Sequence, residues 1–195
     1  MDAYDLLSSH TLVLASASPR RRDLLAAARI RCEVRPANVP EVRRMGESAE
    51  SYVRRLAHDK AHAIEAGASE VILAADTTVV VDHHVLEKPE DAADAARMLG
   101  LLSGRGHLVL TAICLRAGGQ TRTAVESTAV FVAELSARDI AEYVASGEPM
   151  DKAGAYGIQG MFSRWVHRVE GCYVNVVGLP MSLLWRELYA LAAGV

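Results

Sequence analysis

The sequence predicts an α/β fold with a mixed, twisted central sheet flanked by helices. Apolar runs that are typical of buried strands alternate with amphipathic segments of helical period. Two longer strand-like segments, 107–116 and 121–133, flank Gly118-Gly119 and therefore predict two neighbouring strands. With 195 residues, of which 51% are hydrophobic, the chain is long enough to bury a full core. We expect one domain over residues 1–195, built as two closely packed lobes.

The first half of the chain predicts two strands and two helices. The apolar run Thr11–Ala15 predicts the first strand. Ser18-Pro19 then combines a good N-cap residue with proline at the first helical position, and this helix should end near Arg29. Residues 32–46 predict a short strand and a loop, and Ser48 caps a long amphipathic helix.

The second half begins with Val71–Ala75, an unbroken apolar run that predicts a strand buried on both faces. The remaining elements follow from turn residues, capping residues and hydrophobic periodicity. They are a hairpin of Thr78–Val81 with Val85–Glu87, a helix from Pro89 to about Leu102, the long strand pair, a helix opened by Ser136 and Asp139, short strands near 165–170 and 172–177, and a helix from Pro180 to about Ala192.

Composition and charge narrow the classes of function. The net charge of −3 and the isoelectric point of about 6.2 supply no global basic field, so a nucleic-acid polymer is not an expected partner. Cys32, Cys114 and Cys172 form no CxxC pair and the histidines show no metal-binding spacing, which disfavours a disulfide framework and a zinc site. No apolar stretch approaches the roughly 18 residues that cross a bilayer. We expect a cytoplasmic protein.

Ser16–Arg22, between the first strand and its helix, is a candidate phosphate-binding segment. A helix N-terminus favours an anion through its unpaired N–H groups and partial positive charge. The hydroxyls of Ser16 and Ser18 and the guanidinium groups of Arg20 and Arg21 add donors suited to phosphate oxygens. A capped helix with a solvated basic first turn explains the segment equally well. Neither a P-loop nor a GxGxxG fingerprint is present.

Three charged residues elsewhere are candidates for the same chemistry. Asp76 follows the Val71–Ala75 strand and can hold a cation, activate water, or simply cap a turn. Lys60 shares the apolar stripe of its helix, so it either has a buried partner or snorkels to solvent. If the hairpin turn centres on His83-His84, Lys88 lies opposite residue 79, on the order of 10 Å from Asp76.

The loop 151–160 is rich in small residues, which permit close backbone approach, and the amide of Gln159 can read the edge of a base. A generic flexible loop is the alternative. Phe162 and Trp165, which follow the loop, either line a base pocket or pack in the core.

Taken in order, these segments resemble the motifs of the Maf family. Each motif is weak alone, but the ordered set is specific and covers about residues 11–190. The matching segments are Leu14-Ala15-Ser16-x-Ser18-Pro19-Arg20-Arg21, Ala75-Asp76-Thr77, Glu87-Lys88-Pro89, Leu102-Ser103-Gly104, Asp151 to Gly160, and Val177-Gly178-Leu179-Pro180.

The resemblance implies an elongated, two-lobed fold with a central cleft, similar to the inosine triphosphate pyrophosphatases. It implies a cytoplasmic hydrolase, usually a homodimer, that splits nucleoside triphosphates into monophosphate and pyrophosphate with a divalent cation such as Mg²⁺ or Mn²⁺. The resemblance also carries a link to septum formation and cell-division arrest.

By position, the resemblance assigns roles to individual residues. Asp76 matches the family's proposed base, Glu41 falls where the family places another active-site acid, and we expect these two to hold the cation. Lys60 and Lys88 match phosphate-site residues of the family and complete the catalytic set. Ser18 and Arg21 match the phosphate ligands, beside Ser16. The residues Arg20, Thr77 and Gln159 match the subgroup that acts on dTTP and UTP.

Two other functions stay open at this point. One is pyrophosphate release from 7-methyl-GTP or another modified nucleotide, although that subgroup lacks the Tyr156-Gly157-Ile158-Gln159 run. The other is a non-catalytic regulator of septum formation that binds nucleotide or nucleic acid.

Overall fold

A computed structural model describes all 195 residues. The elements, in chain order, are α1 (Ala3–Ser9), β1 (Thr11–Leu14), α2 (Pro19–Ala27), β2 (Glu33–Val34), α3 (Ala49–His62), β3 (Glu70–Val81), β4 (His84–Leu86), α4 (Ala92–Leu102), β5 (Gly106–Ala117), β6 (Gln120–Val132), α5 (Ala137–Ala145), β7 (Val166–Glu170), α6 (Tyr173–Val177) and α7 (Met181–Ala192). Three short 3₁₀ helices between α5 and β7 span Glu148–Asp151, Ala153–Ala155 and Met161–Arg164. None of the helices combines the length and hydrophobicity that crossing a bilayer requires.

The strands form one seven-stranded sheet in the order β2-β1-β3-β5-β6-β7, with β4 also paired to β3. β1 runs parallel to β2 and β3, whereas β4 is antiparallel to β3 and β7 is antiparallel to β6. Gly118 and Gly119 join β5 to β6, and their positive φ angles of 55° and 79° suit a type I′ hairpin turn. The predicted α/β fold, with a central mixed sheet flanked by helices, is confirmed.

The chain forms two compact units. The first comprises Met1–Asp76, Thr111–Glu126 and Gly178–Val195, and the second comprises Thr77–Leu110 and Ser127–Val177. The hydrophobic core of the first unit contains side chains from β1, β3, β5, α1, α2 and α7. Because α7 places Leu184, Leu188 and Leu191 on one face, that face packs into the core and the opposite face meets solvent.

The second unit contains an aromatic cluster that decides one of the open alternatives. Phe162 is fully buried, and its ring centroid lies 5.2 Å from that of Tyr143 and 4.6 Å from that of Tyr156. Trp165 is half-buried and packs edge-on against Phe162 at 5.6 Å. Phe162 is therefore a core residue, since a side chain without exposed surface has no face left for a nucleotide base.

Segment 172–177 forms helix α6, so the predicted strand there is wrong. Its valines favour a strand by propensity. The backbone instead turns at Gly171, where φ is 119°. Asn175 is fully buried and donates from Nδ2 to the carbonyl of Val109 and to Oγ1 of Thr128, both at 3.0 Å. A helical turn directs this amide to two acceptors, and these tertiary hydrogen bonds outweigh a propensity of about 1 kcal/mol.

Helix α1 has no counterpart among the predicted elements. Its sequence signal is a capping box, in which Asp2 Oδ1 accepts from the backbone N–H of Asp5 at 2.9 Å and Asp5 Oδ2 accepts from that of Asp2 at 3.3 Å. Only Ala3 and Leu6 are buried. Two buried positions in seven residues are too few for helical periodicity to reveal the helix.

Candidate active site

The start of helix α2 carries the predicted anion-binding segment. Ser18 occupies the N-cap position and Pro19 the first helical position, as predicted, but the Ser18 hydroxyl makes no capping hydrogen bond. The first N–H groups of α2 therefore have no side-chain cap, and they suit an anion. Arg20 and Arg21 are half-buried, whereas Arg22 is exposed.

Arg21 is held in place by two acceptors from different segments. Its Nη1 donates to Ser16 Oγ at 2.9 Å, and its Nε donates to the carbonyl of Gly178 at 2.8 Å. Ser16 Oγ also accepts from the backbone N–H of Ser18 at 3.2 Å. Burial lowers the pKa of Arg21 and the nearby Asp76 carboxylate raises it. An arginine remains charged under such opposing shifts, so the segment presents a fixed cation.

Lys60 is buried on the apolar stripe of α3, and its charge is paired there. The residue is 7% exposed. Its Nζ donates to Asp76 Oδ1 at 2.6 Å and lies 2.5 Å from Glu41 Oε1. Of the two explanations that the sequence left open, a buried partner is the correct one and snorkelling is wrong.

Asp76 lies inside strand β3, so its predicted place after the end of a strand is wrong. The predicted strand Val71–Ala75 and the predicted hairpin strand from Thr78 are parts of one 12-residue strand. Pairing with β1 covers β3 only up to Leu73, and Asp76 lies beyond it. Strand side chains project from the faces of the sheet, and on its face Asp76 meets Lys60 of α3. Burial raises the pKa of Asp76, while the ammonium of Lys60 opposes this shift.

Glu41 lies in the loop after β2, and helix α3 fixes that loop. The hydroxyl of Tyr52 donates to the carbonyl of Glu41 at 3.0 Å. Arg55 donates from Nε and Nη2 to the carboxylate of Glu47, at 2.7 and 2.8 Å, and from Nη2 to the carbonyl of Val42 at 3.0 Å. This fork holds the pKa of Glu47 down at about 2. The side chain of Arg55 is only 16% exposed and ties the loop to α3.

Thr77, Lys88 and Gln159 belong to the second unit. Val79 pairs with Leu86 and Val81 with His84, so the turn centres on Asp82-His83, one residue earlier than expected. The same register extended by two residues aligns Lys88 with Thr77, which corrects the expected alignment with residue 79. Lys88 and Gln159 are exposed and Thr77 is half-buried.

The loop 151–160 is attached to the segment that carries Lys88. The backbone N–H of Gly154 donates to the carbonyl of Glu87 at 3.0 Å. A Cβ on Gly154 would lie 2.7 Å from Val79 Cγ2, so only glycine permits this approach. The loop is therefore packed on the β3–β4 hairpin, and the alternative of a generic flexible loop is wrong.

Comparison with known proteins decides the family. A family model described as Maf-like protein matches residues 11–191. The chain belongs to the Maf-like protein family. A dTTP/UTP pyrophosphatase of Koribacter versatilis is 56% identical over 178 residues, which cover 91% of this chain and 92% of that protein. A dTTP/UTP pyrophosphatase of Vibrio cholerae is 51% identical over 172 residues, covering 87% and 92% of the two chains.

Among solved structures, a nucleoside-triphosphatase, or dITP/XTP pyrophosphatase, of Mycobacterium abscessus aligns with a TM-score of 0.41 and 19% identity. The alignment covers 65% of this chain and 76% of that one. The Ham1 protein of Staphylococcus aureus aligns with a TM-score of 0.44 and 15% identity, over 64% and 72% of the two chains.

The donor set of this Maf-like protein fits a divalent cation that is shared with substrate. Asp76 and Glu41 direct one carboxylate oxygen each at the same ammonium, so both converge on one cationic point. Mg²⁺ is commonly held by one or two carboxylates together with substrate phosphates and water. The protein has no group of three or more metal-ligating side chains. A cation held by these two carboxylates would take its remaining ligands from water or from a bound anion.

The structure also reveals supporting residues that the sequence did not single out for a role. Gly178 contributes only its carbonyl, and its signal is the Val177-Gly178-Leu179-Pro180 motif, which is recognisable without indicating what the motif contacts. Tyr52 and Arg55 act through a loop that is distant in sequence. No local pattern on α3 distinguishes Arg55 from a solvated arginine.

Proposed function

We propose that this protein is a nucleoside triphosphate pyrophosphatase that hydrolyses dTTP and UTP to the monophosphate and pyrophosphate. The observation that carries the proposal is the buried Lys60 ammonium between Asp76 and Glu41. Acidic groups that can activate water and hold a cation, next to fixed cations, suit the hydrolysis of a phosphoanhydride. The substrate class is the one in the names of the relatives from K. versatilis and V. cholerae.

The triphosphate binds through Ser18, Arg21 and the first N–H groups of α2. Arg21 is already oriented by Ser16 and Gly178, so binding costs little side-chain entropy. Lys88 adds a second cation for the phosphates. The positive charges of Arg21 and Lys88 stabilise the negative charge that develops on the leaving pyrophosphate.

Asp76 acts as the general base on the attacking water. It accepts the proton as the water oxygen bonds to the α-phosphorus and the bond to the oxygen that bridges to the β-phosphate breaks. Burial raises the pKa of Asp76, which makes its carboxylate a stronger base than a solvated one. Lys60 keeps this carboxylate in position. Asp76 and Glu41 would hold the divalent cation, Mg²⁺ or Mn²⁺, and this cation would neutralise phosphate charge.

Base selection falls to Arg20, Thr77 and Gln159. An amide offers a donor and an acceptor side by side, which suits the imide edge of uracil and thymine. Arg20 lies in the first turn of α2, and Gln159 is exposed on its loop.

Pyrophosphate release from dTTP, UTP, dCTP and 7-methyl-GTP in the presence of Mg²⁺ tests the proposal. We expect turnover of dTTP and UTP, and a fall of about 10²–10⁴-fold in the variant Asp76→Asn. The matched control is Asp82→Asn, an identical change at an exposed turn residue whose φ of 51° asparagine tolerates. Retained turnover in Asp76→Asn contradicts the mechanism. Absence of turnover in the wild type, with retention of DNA in a filter-binding assay, supports the regulator instead.

We also propose that the enzyme works in the cytoplasm as a homodimer. Its three cysteines are free thiols, which suits a reducing compartment. The dimer rests on the family resemblance, and sedimentation of the purified protein tests it.

A further inference from the structure

Gln159 lies at the tip of a tight turn whose two flanks are glycines. The backbone N–H of Gly160 donates to the carbonyl of Gly157 at 3.2 Å, which leaves Ile158 and Gln159 as the central residues. Ile158 is 6% exposed and anchors the turn inward, while Gln159 is exposed. The position from which the Gln159 side chain can reach a base therefore depends on what holds this turn.

The carboxylate of Glu148 connects both flanks of the turn. Its Oε2 accepts from the backbone N–H of Met161 at 3.0 Å, immediately after the turn. Its Oε1 accepts from the hydroxyl of Tyr143 at 3.0 Å, and the same hydroxyl accepts from the backbone N–H of Gly157 at 3.1 Å. Tyr143 is buried among aromatic side chains, so these hydrogen bonds connect the turn to a residue of the core.

The Glu148 carboxylate also explains why residue 160 is glycine. A Cβ on Gly160 would lie 2.1 Å from Glu148 Oε1, whereas a Cβ on Gly157 would lie 2.8 Å from Lys152 Cε and 3.2 Å from Glu148 Oε1. Neither glycine has a positive φ. Glycine is required at position 160 because the turn wraps closely around Glu148, whereas at position 157 the tighter contact is with Lys152; backbone conformation is the reason at neither position.

We propose that Glu148 is the positioning residue that orients Gln159 and thereby sets the preference for the uracil and thymine bases. The inference rests on the proposed function. Uracil and thymine present an N3–H donor between two carbonyl acceptors, whereas cytosine presents N3 as an acceptor beside an amino donor. An amide discriminates between these edges when its position is fixed, because a mobile turn lets it match either pattern. Glu148 supplies that constraint from below the turn.

Steady-state kinetics with dTTP and dCTP test the inference in the variants Glu148→Ala and Glu148→Gln. We expect Glu148→Ala to raise KM for dTTP about tenfold with kcat changed by less than about threefold, and to lower the dTTP-to-dCTP ratio of kcat/KM about tenfold. Glu148→Gln retains one acceptor oxygen and should give an intermediate ratio. The control is Glu142→Ala on the neighbouring helix, whose carboxylate is 52% exposed and pairs only with Arg164 at 3.2 Å. It should match the wild type.

Tyr143→Phe is the second variant. It provides the test in case Glu148→Ala does not fold. It removes the hydroxyl between Glu148 and Gly157 and keeps the buried ring, so a lower dTTP-to-dCTP ratio is expected again. An unchanged ratio in the folded variants overturns the inference. An equal loss of turnover on both substrates does so as well, because a generic structural role predicts it.

Amide hydrogen exchange separates this inference from the proposed function. The N–H groups of Gly157 and Met161 should be protected in the wild type and should exchange faster in Glu148→Ala. If the wild type releases no pyrophosphate from dTTP, the proposed function fails, and exchange still shows whether Glu148 holds the turn. If exchange at both amides is unaltered in the variant, the positioning role itself is refuted.

Discussion

Replacing Lys60 by methionine tests how much the buried ion pair contributes to folding. The change removes the ammonium 2.6 Å from Asp76 Oδ1 and keeps an unbranched side chain of similar length. Lys60 and Asp76 are each 7% exposed, so the carboxylate left behind is a buried charge without its nearest partner. Breaking such a pair from one side costs about 3–5 kcal/mol, and we expect the lower end because Arg21 still faces Asp76.

Removing the other partner, Asp76, should cost less free energy of unfolding, and this asymmetry follows from the geometry. In Asp76→Asn the ammonium of Lys60 keeps a second carboxylate, that of Glu41, at 2.5 Å. We therefore expect a loss of roughly 1–3 kcal/mol in the free energy of unfolding. The double variant should lose less than the sum of the two single variants by about 2 kcal/mol, because the carboxylate that Lys60→Met leaves stranded is then gone.

Urea unfolding at pH 7.5 in EDTA, followed by circular dichroism, measures the cycle without interference from a bound cation. The control is Arg97→Met, which breaks an Arg97–Asp94 pair of the same 2.6 Å length whose arginine is 55% exposed. An exposed pair contributes about 0–1 kcal/mol, so this variant should be nearly neutral. Strict additivity in the cycle, or a Lys60→Met loss as small as that of Arg97→Met, refutes the reasoning.

Two further predictions concern the second unit. His107 is buried with Nδ1 unpartnered, and burial lowers its pKa to about 4, below the ordinary value near 6.5. As the pH falls, His107 is protonated in the unfolded chain before it is protonated in the folded protein. The contribution of the neutral imidazole to the free energy of unfolding should therefore be complete above pH 6.5 and should fall by about 1.4 kcal/mol per pH unit down to pH 4. His107→Gln should abolish this part of the slope in urea titrations, and an identical slope in the variant contradicts it. Gly154→Ala should destabilise by at least about 2 kcal/mol, because φ is 69° and the new Cβ meets Val79. Gly119→Ala is its control, with φ of 79° and open space, and should cost about 1 kcal/mol; equal losses show that the contact with Val79 is unimportant.

Local sequence signals were sufficient for most of the elements. The capping box of Ser136 and Asp139, the glycine pair at 118–119 and the apolar run at 71–75 each act through contacts within a few residues, and each prediction is confirmed. Tertiary contacts explain the wrong prediction at 172–177. At 172–177 the local preference was for a strand, and two hydrogen bonds from Asn175 to distant acceptors overrode it.

In the candidate site, too, some features follow from local sequence and others only from tertiary structure. Residue types and their order in the chain were enough to select Asp76, Lys60 and Arg21, because a lysine on an apolar stripe and arginines at a helix start are anomalous without partners. Some of their partners lie far away in sequence, 16 positions for Lys60 and Asp76 and 157 for Arg21 and Gly178. Glu41 at Lys60, the Gly178 carbonyl at Arg21 and Glu148 beneath Gln159 are decided only by tertiary structure. The physical reason is that a short-range contact between distant segments depends on how the whole chain packs, whereas the burial of a side chain depends mainly on its local periodicity.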